Sequence, residues 1–283
     1  MGSRSVLVTG ASSGIGRECA LLLAARGFQV FAGVRRPEDG DSLVGSARGT
    51  LVPVMLEVTD EASIRSAADA VARGLAPGAS FCLVNNAGIS VAGPLELLSI
   101  DSFRQQLEVS VVGQVAVTQA FLPILRARSG RIVIMGSLFG RISLPFVAPY
   151  AAAKFALEAL ADSLSMELRD WGIDVVLLEP GSISTPIWTR SKDLALRTVG
   201  GLGEDRLGLY RDALETFEKA TDRFAARGIP PVRVARAAAR ALTARRPRSR
   251  YRVGWDARLL GTLGPLLPGR LRQRLIRLVV LRR

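Results

Sequence analysis

The feature that most limits the fold stands at the front of the chain. Ser5–Thr9 (SVLVT) is a short β-branched run suited to a buried parallel strand, and it leads straight into Gly10-Ala-Ser-Ser-Gly14-Ile-Gly16. A helical pattern, Arg17–Arg26, follows and is closed by Gly27. Strand, glycine turn and helix together form the setting in which free backbone N–H groups and the positive end of a helix dipole hold a pyrophosphate. The spacing is G-x-x-x-G-x-G rather than G-x-G-x-x-G, and the glycines permit a tight turn and a close backbone approach.

The same alternation continues. Strands are expected at Phe28–Val34, Leu51–Val58, Ser80–Val84, Arg131–Gly136 and Asp174–Glu179, with a last one at Arg250–Val253. Helical patterns lie between them: a segment capped near Thr59 or Asp60, a long stretch Phe103–Arg128, a run beginning near Tyr150, and Pro231–Ala244. Strand and helix in alternation with short connections give an α/β chain with a doubly wound parallel sheet. In such sheets ligands sit beyond the carboxyl ends of the strands. The glycine loop, Asn85–Gly88, Ser137 and Pro180-Gly181 all fall at such ends, so they point to one site. Arg35-Arg36 ends the second strand where an acid would hold the ribose 2′-hydroxyl of NAD; arginine there suits the 2′-phosphate of NADP, the alternative being a solvated basic turn.

Tyr150 and Lys154 are four residues apart in a helical pattern, one turn from each other on one face. A fixed ammonium favours the phenolate and lowers the tyrosine pKa, which makes the pair a candidate acid or base toward an alcohol or carbonyl. Ser137 closes the preceding strand and can hydrogen-bond the same oxygen. Pro145 and Pro149 read as breakers in the loop between them.

Composition narrows the chemistry. The 283 residues contain no histidine, which removes Ser-His-Asp and Cys-His mechanisms and most zinc sites; no metal site is expected. Cys19 and Cys82 lie in apolar runs and read as core residues. The chain enters a strand almost at once without a secretory signal pattern, and no unbroken apolar run approaches the ~20 residues of a membrane span, so a cytoplasmic protein is expected. The net charge of +13 is uneven: residues 223–283 carry 17 arginines and one acid, Asp256, whereas residues 1–222 carry 21 basic and 24 acidic residues.

Residues 1–260 read as one domain, with a looser region at about 187–228 that is either a mobile lid over an apolar pocket or a surface insertion. Residues 261–283 form a basic amphipathic tail: Leu271, Leu275, Leu278 and Val279 share a helical face beside Arg270, Arg274 and Arg277. The tail either lies on an anionic membrane surface or packs on its own domain or a second subunit. No aromatic residue follows Trp255 among these arginines, which argues against nucleic acid.

Five segments, in order, resemble the short-chain dehydrogenase/reductase family: TGASSGIG (Thr9–Gly16), NNAG (Asn85–Gly88), Ser137, YAAAK (Tyr150–Lys154) and PGSIST (Pro180–Thr185). The resemblance covers about the first 190 residues. It implies a Rossmann-type, three-layer α/β/α fold and hydride transfer between a nicotinamide and an alcohol or carbonyl. It assigns acid/base chemistry to Tyr150, pKa lowering and ribose binding to Lys154, and substrate polarisation to Ser137. Cofactor contacts would come from Gly10, Ser12, Ser13, Gly14, Ile15 and Gly16, from Asn86, Ala87 and Gly88 on the adenosine side, and from Arg35, Arg36, Glu57 and Val58. Pro180, Gly181, Ile183 and Thr185 would face the nicotinamide. VFAGVRRP is similar to the NADP-preferring hydroxysteroid and retinol dehydrogenase branch, which implies NADP(H), a bulky lipophilic alcohol or carbonyl and a homodimer or homotetramer. Two positions depart from the pattern. Ser110 stands where the family has a catalytic asparagine that supports a proton-relay water, so a weakly active NADP(H)-binding or redox-sensing protein is the alternative. Glu57 replaces an aspartate near the adenine.

Overall fold

The structure is a computed structural model and describes residues 4–185 and 208–280. Seven parallel strands form one sheet: β1 (Arg4–Val8), β2 (Phe28–Val34), β3 (Leu51–Met55), β4 (Ser80–Asn85), β5 (Arg131–Met135), β6 (Asp174–Pro180) and β7 (Arg250–Val253). Their order is β3-β2-β1-β4-β5-β6-β7, so the winding reverses between β1 and β4 and opens a crevice at the strand ends there. This is the doubly wound parallel sheet expected from the alternation, in the three-layer Rossmann-type form that the family resemblance implied.

Both faces of the sheet are buried, which explains the unbroken apolar strands. Val6 and Val8, Val30 and Ala32, Val133 and Met135 pack on one side with α1 (Gly14–Ala25) and, later in the chain, Val232–Thr243. Leu7, Phe31, Phe81, Leu83, Ile132 and Ile134 alternate to the other side. There they meet α3 (Glu61–Gly74), α5 (Gly113–Ala127) and α6 (Ala148–Glu167), with Phe81 stacked on Phe121. Cys19 and Cys82 are buried and unpaired, as read; burial pushes their thiols up to about 12 and about 11.

Several boundaries differ from the sequence reading. β3 stops at Met55, where the chain turns at Leu56–Val58 toward α3; Pro53 is tolerated in it because β3 is an edge strand. Of the two expected cap positions, Asp60 caps α3, accepting from Ala62 N at 2.9 Å. A helix α2 (Pro37–Ser46) was not anticipated, although Pro37 at its start and Glu38 and Asp39 in its first turn are recognised signals. The long stretch is continuous from Ile100 to Ala127 but in three parts: α4 (Ile100–Leu107), a π-helical turn (Glu108–Val112) and α5. By length and composition this run could cross a bilayer; in the domain its Gln106, Ser110, Val117, Phe121 and Leu125 are buried. Pro149 does not break α6 but sits in its first turn, where a missing N–H costs nothing.

The carboxyl-terminal part contains α7 (Arg211–Ala226), α8 (Val232–Thr243), α9 (Trp255–Leu263) and α10 (Gly269–Val280). Much of the expected lid, residues 186–207, lies outside the described residues. Its described part presents Tyr210 and Phe217 to Phe146, at ring-centroid distances of 6.4 and 5.4 Å. Helix α9 runs across residue 260, and Ala257 on it packs with Leu138 and Ile142, just beyond Ser137.

Candidate active site

The catalytic candidates meet at the ends of β4, β5 and β6. Ser137 follows β5 in extended backbone, and its Oγ accepts from Phe139 N at 3.1 Å to cap a short 3₁₀ turn, Leu138–Gly140. Two turns of α6 present Tyr150 and Lys154. Lys154 is 5% exposed, and its Nζ donates to the Met135 carbonyl at the end of β5, 2.8 Å away. The same Nζ lies 5.5 Å from the centre of the Tyr150 ring, and Phe139 packs edge-on against that ring at 6.0 Å.

The charges in this corner are set chiefly by desolvation. Burial raises the Tyr150 phenol above its ordinary range, while the neighbouring Ser137 hydroxyl pulls it down. Burial lowers the Lys154 ammonium to about 8. The net direction at Tyr150 is therefore opposite to the lowering that Lys154 alone would impose. The reason is the burial of the phenol, with the Lys154 amine bonded to the Met135 carbonyl.

The glycine loop is built for close approach. Gly10 adopts φ +63°, and a side chain at Gly16 would run into the Gly10 carbonyl oxygen. Ser13 precedes α1 without capping it through its side chain, and no acid occupies the first turn. The positive end of α1 thus faces the crevice without a competing carboxylate. Thr9 Oγ1 accepts from Asn86 N and Ala87 N, both at 2.9 Å, and Asn86 Nδ2 donates to Thr9 O at 2.9 Å and Gly10 O at 3.2 Å. The Asn86 side chain is thus engaged in tying the glycine loop to the end of β4. Gly88 lies close enough to Ser110 that an added Cβ would touch its hydroxyl.

At the end of β2 the two arginines differ. Arg36 grips Asp39 with both nitrogens at 3.0 Å and so fixes the start of α2. Arg35 is 70% exposed and only 3.6 Å from Glu57. Glu57 in turn accepts from Thr59 N and Oγ1 at 3.2 and 3.0 Å, so its carboxylate is committed to its own turn. Val58 is buried and packs against Gly113.

Ser110 lies within the π-helical turn, fully buried. Its Oγ accepts from Gln106 Nε2 at 2.8 Å and from Ile89 N at 3.3 Å. Gln106 also accepts from Val91 N and donates to Ile89 O, at 2.7 and 3.0 Å. Serine's short side chain is thus supplemented by an amide one turn earlier, a residue the sequence reading missed. Only the i,i+4 spacing to Ser110 could have flagged it.

The loop after β6 is held from far along the chain. Ser182 N donates to Asp256 Oδ2 at 2.6 Å, and Gly181 has no room for a side chain because the Asp256 carboxylate occupies it. Ile183 is buried with the α1 and α8 layer and bridges to Ile229, so a role toward a nicotinamide would fall to its main chain. Thr185 is half-buried at the end of the described segment. Pro180 ends β6 beside β7.

This fold and this corner define a nucleotide-dependent α/β enzyme, and comparison with known proteins agrees. The family described as short chain dehydrogenase matches residues 4–194. Retinol dehydrogenase 5 of Mus musculus is 35% identical over 271 residues, 94% of this chain and 85% of that protein. The NADPH-dependent 3-dehydrocapnine reductase of Ornithobacterium rhinotracheale is 32% identical over 273 residues, 95% of this chain and 94% of that one. A short-chain dehydrogenase from Streptomyces avermitilis, 29% identical, superposes with a TM-score of 0.73 over 98% of this chain and 96% of its own. The chain belongs to the short-chain dehydrogenase/reductase family, in the branch similar to retinol and hydroxysteroid dehydrogenases, and is an oxidoreductase acting on CH–OH groups.

Proposed function

We propose that the protein interconverts a bulky lipophilic alcohol and its ketone or aldehyde with NADP(H). The observation that carries this reading is the convergence of Ser137, Tyr150 and buried Lys154 on one strand end, across the crevice from an uncapped, glycine-rich helix start. NADP(H), when bound, supplies or accepts the hydride. Tyr150 gives its proton to the nascent alkoxide in reduction and removes it in oxidation. Ser137 donates a hydrogen bond to the substrate oxygen and polarises it. Lys154 would hold the nicotinamide ribose and offset negative charge on the phenol. The glycine loop and the start of α1 suit the pyrophosphate, and exposed Arg35 suits a 2′-phosphate. Arg36 is spent on Asp39. Phe146, Tyr210 and Phe217 form an aromatic cluster between the loop before α6 and α7 with the residues just before it, which suits a lipophilic substrate, and the NADPH-dependent and retinol-directed relatives fit the same reading.

The test is Tyr150→Phe assayed by nicotinamide absorbance with steroid, retinoid and fatty carbonyls. Loss of turnover by roughly 10²–10⁴-fold is expected; unchanged turnover on an accepted ketone would falsify the acid assignment. Ser110 supports a second reading, a weakly active NADP(H)-binding protein, because its hydroxyl is already committed to Gln106 and Ile89. A large rate gain in Ser110→Asn would favour it.

A peripheral membrane contact from the cytoplasmic side accompanies this proposal. Leu259, Leu263, Leu266, Leu271, Leu275 and Leu278 on and between α9 and α10 are exposed, within the segment that carries 17 arginines and one acid. That combination suits an anionic bilayer surface. Replacing Leu271, Leu275 and Leu278 with serine should reduce co-sedimentation with phosphatidylserine vesicles; equal co-sedimentation rejects the contact. Exposed Val112, Phe155 and Met166 on the π turn and α6 support a homo-oligomer formed through that face.

A further inference from the structure

Behind the catalytic corner lies a second set of buried charges that this reading does not use. Glu158 follows Lys154 by one turn of α6, and Glu179 is the last residue but one of β6. They are 8% and 1% exposed. Glu158 Oε2 accepts from Arg250 Nε at 3.0 Å, with Arg141 Nη1 at 3.8 Å. Glu179 Oε2 accepts from Arg252 Nε at 2.7 Å, and Arg250 Nε lies 3.7 Å from Glu179 Oε1. Arg250 Nη2 is divided between both oxygens of Asp162, each at 2.8 Å. Arg252 Nη1 is held by Thr262 on α9 at 2.7 Å.

One oxygen of each glutamate is left over. Glu158 Oε1 and Glu179 Oε1 are buried and meet no donor among the described residues. Both carboxyl groups close on one guanidinium: Arg250 Nε lies 3.0 Å from Glu158 Oε2 and 3.7 Å from Glu179 Oε1, which sets the two glutamates side by side. Two ionised carboxylates so placed repel, whereas one proton between them gives a short, strong, charge-assisted hydrogen bond and satisfies both oxygens.

We propose that Glu158 and Glu179 share a single proton, and that the bonded pair positions the catalytic helix α6 against the end of β6. The pair touches all three catalytic segments. Lys154 is one turn away on the same helix, and β6 leads directly into Pro180–Thr185. Gly140, three residues beyond Ser137, packs so tightly that a side chain there would lie 2.8 Å from the Lys154 carbonyl and 3.2 Å from Glu158 Oε1. Loss of the shared proton sets the two carboxylates against each other and loosens α6 from the loop that follows β6. Burial and the facing Glu179 push the Glu158 carboxyl up to about 7, with Arg250 pulling the other way, so Glu158 gives up its proton close to neutrality.

The effect on turnover rests on the proposed oxidoreductase reading; the proton itself does not. The experiment compares the full chain with Glu158→Gln, whose amide keeps a donor toward Glu179 and cannot ionise. An unfolded glutamate titrates at about 4.3, so the pair's contribution to stability is complete below that pH and is lost as pH rises toward about 7. Between about pH 5 and pH 7.5 the wild type should lose roughly 5 °C more in unfolding midpoint than the variant. Parallel midpoint curves would overturn the shared proton. With a ketone substrate, the ratio of kcat at about pH 6 to that at pH 8 should fall about threefold in the variant, with KM little changed. A flattened midpoint curve with an unaltered kcat ratio overturns the positioning role. If Glu158→Gln does not fold, Glu179→Gln supplies the same two readouts. A wild type that reduces no substrate defeats the functional reading, and the midpoint curves still decide the proton.

Discussion

The two walls of the crevice are made of different material. The wall formed by β1, α1 and the end of β4 is backbone: glycines, an uncapped helix start, and main-chain groups tied together by Thr9 and Asn86. The wall formed by β5, α6 and β6 is side chain: Ser137, Tyr150 and Lys154 in a largely dry setting, backed by Glu158, Glu179, Arg250 and Asp256. The first wall needs little more than shape to receive a polyanion. The second holds ionisable groups away from water, which tunes them at the expense of stability.

Lys154→Met puts this contrast to its strongest test. Turnover should fall by about a hundredfold or more, since a group poised for proton chemistry is removed. Stability should rise, because the native ammonium is lowered to about 8 while an unfolded lysine stays near 10.4. The buried charge therefore costs on the order of 3 kcal/mol below about pH 8, and the cost fades as pH rises from 8 toward 10.4. Denaturant unfolding at neutral pH measures it; a destabilised variant would mean that the amine's bond to Met135 outweighs desolvation.

Gly16→Ala probes the backbone wall. Its Cβ must displace the Gly10 carbonyl, at roughly 1–3 kcal/mol, with a rise in KM for NADPH. An alanine variant with native stability and KM would show that the loop yields readily. Asp256→Asn keeps the shape near Gly181 and removes the charge from the bond to Ser182 N. A loss of about 1 kcal/mol is expected, with a larger KM for cofactor than for ketone, read from midpoints and steady-state kinetics. Arg35→Ala should have the smallest effect on stability, close to zero, while narrowing the preference for NADPH over NADH by about tenfold. An unchanged preference would assign the 2′-phosphate to other groups.

The contrast also explains what could be read without coordinates. The backbone wall was legible because its requirements are local: glycines at fixed spacing between a β-branched run and a helix. The Tyr150–Lys154 pair was legible because i,i+4 spacing places two side chains on one helical face. The π turn around Ser110 was not, since neither proline nor glycine marks its start and its form depends on Gln106 reaching Ile89 and Val91. Glu158, Glu179 and Arg250 were invisible for a different reason: each is ordinary in its own segment, and only the pairing of β6 with β7 brings them together. The basic carboxyl-terminal segment looked like a separate tail beyond residue 260, yet α9 crosses that point and packs behind Ser137.

The bond from Asp256 to Ser182 joins positions 74 residues apart in the chain. During synthesis the glycine loop, the first five strands and α6 all emerge from the ribosome before that acid is made. The glycine loop can thus form early on a nascent chain, whereas the loop after β6 waits until Asp256 has been made. A polypeptide released prematurely would keep a handle for nucleotides and lack a finished place to use them.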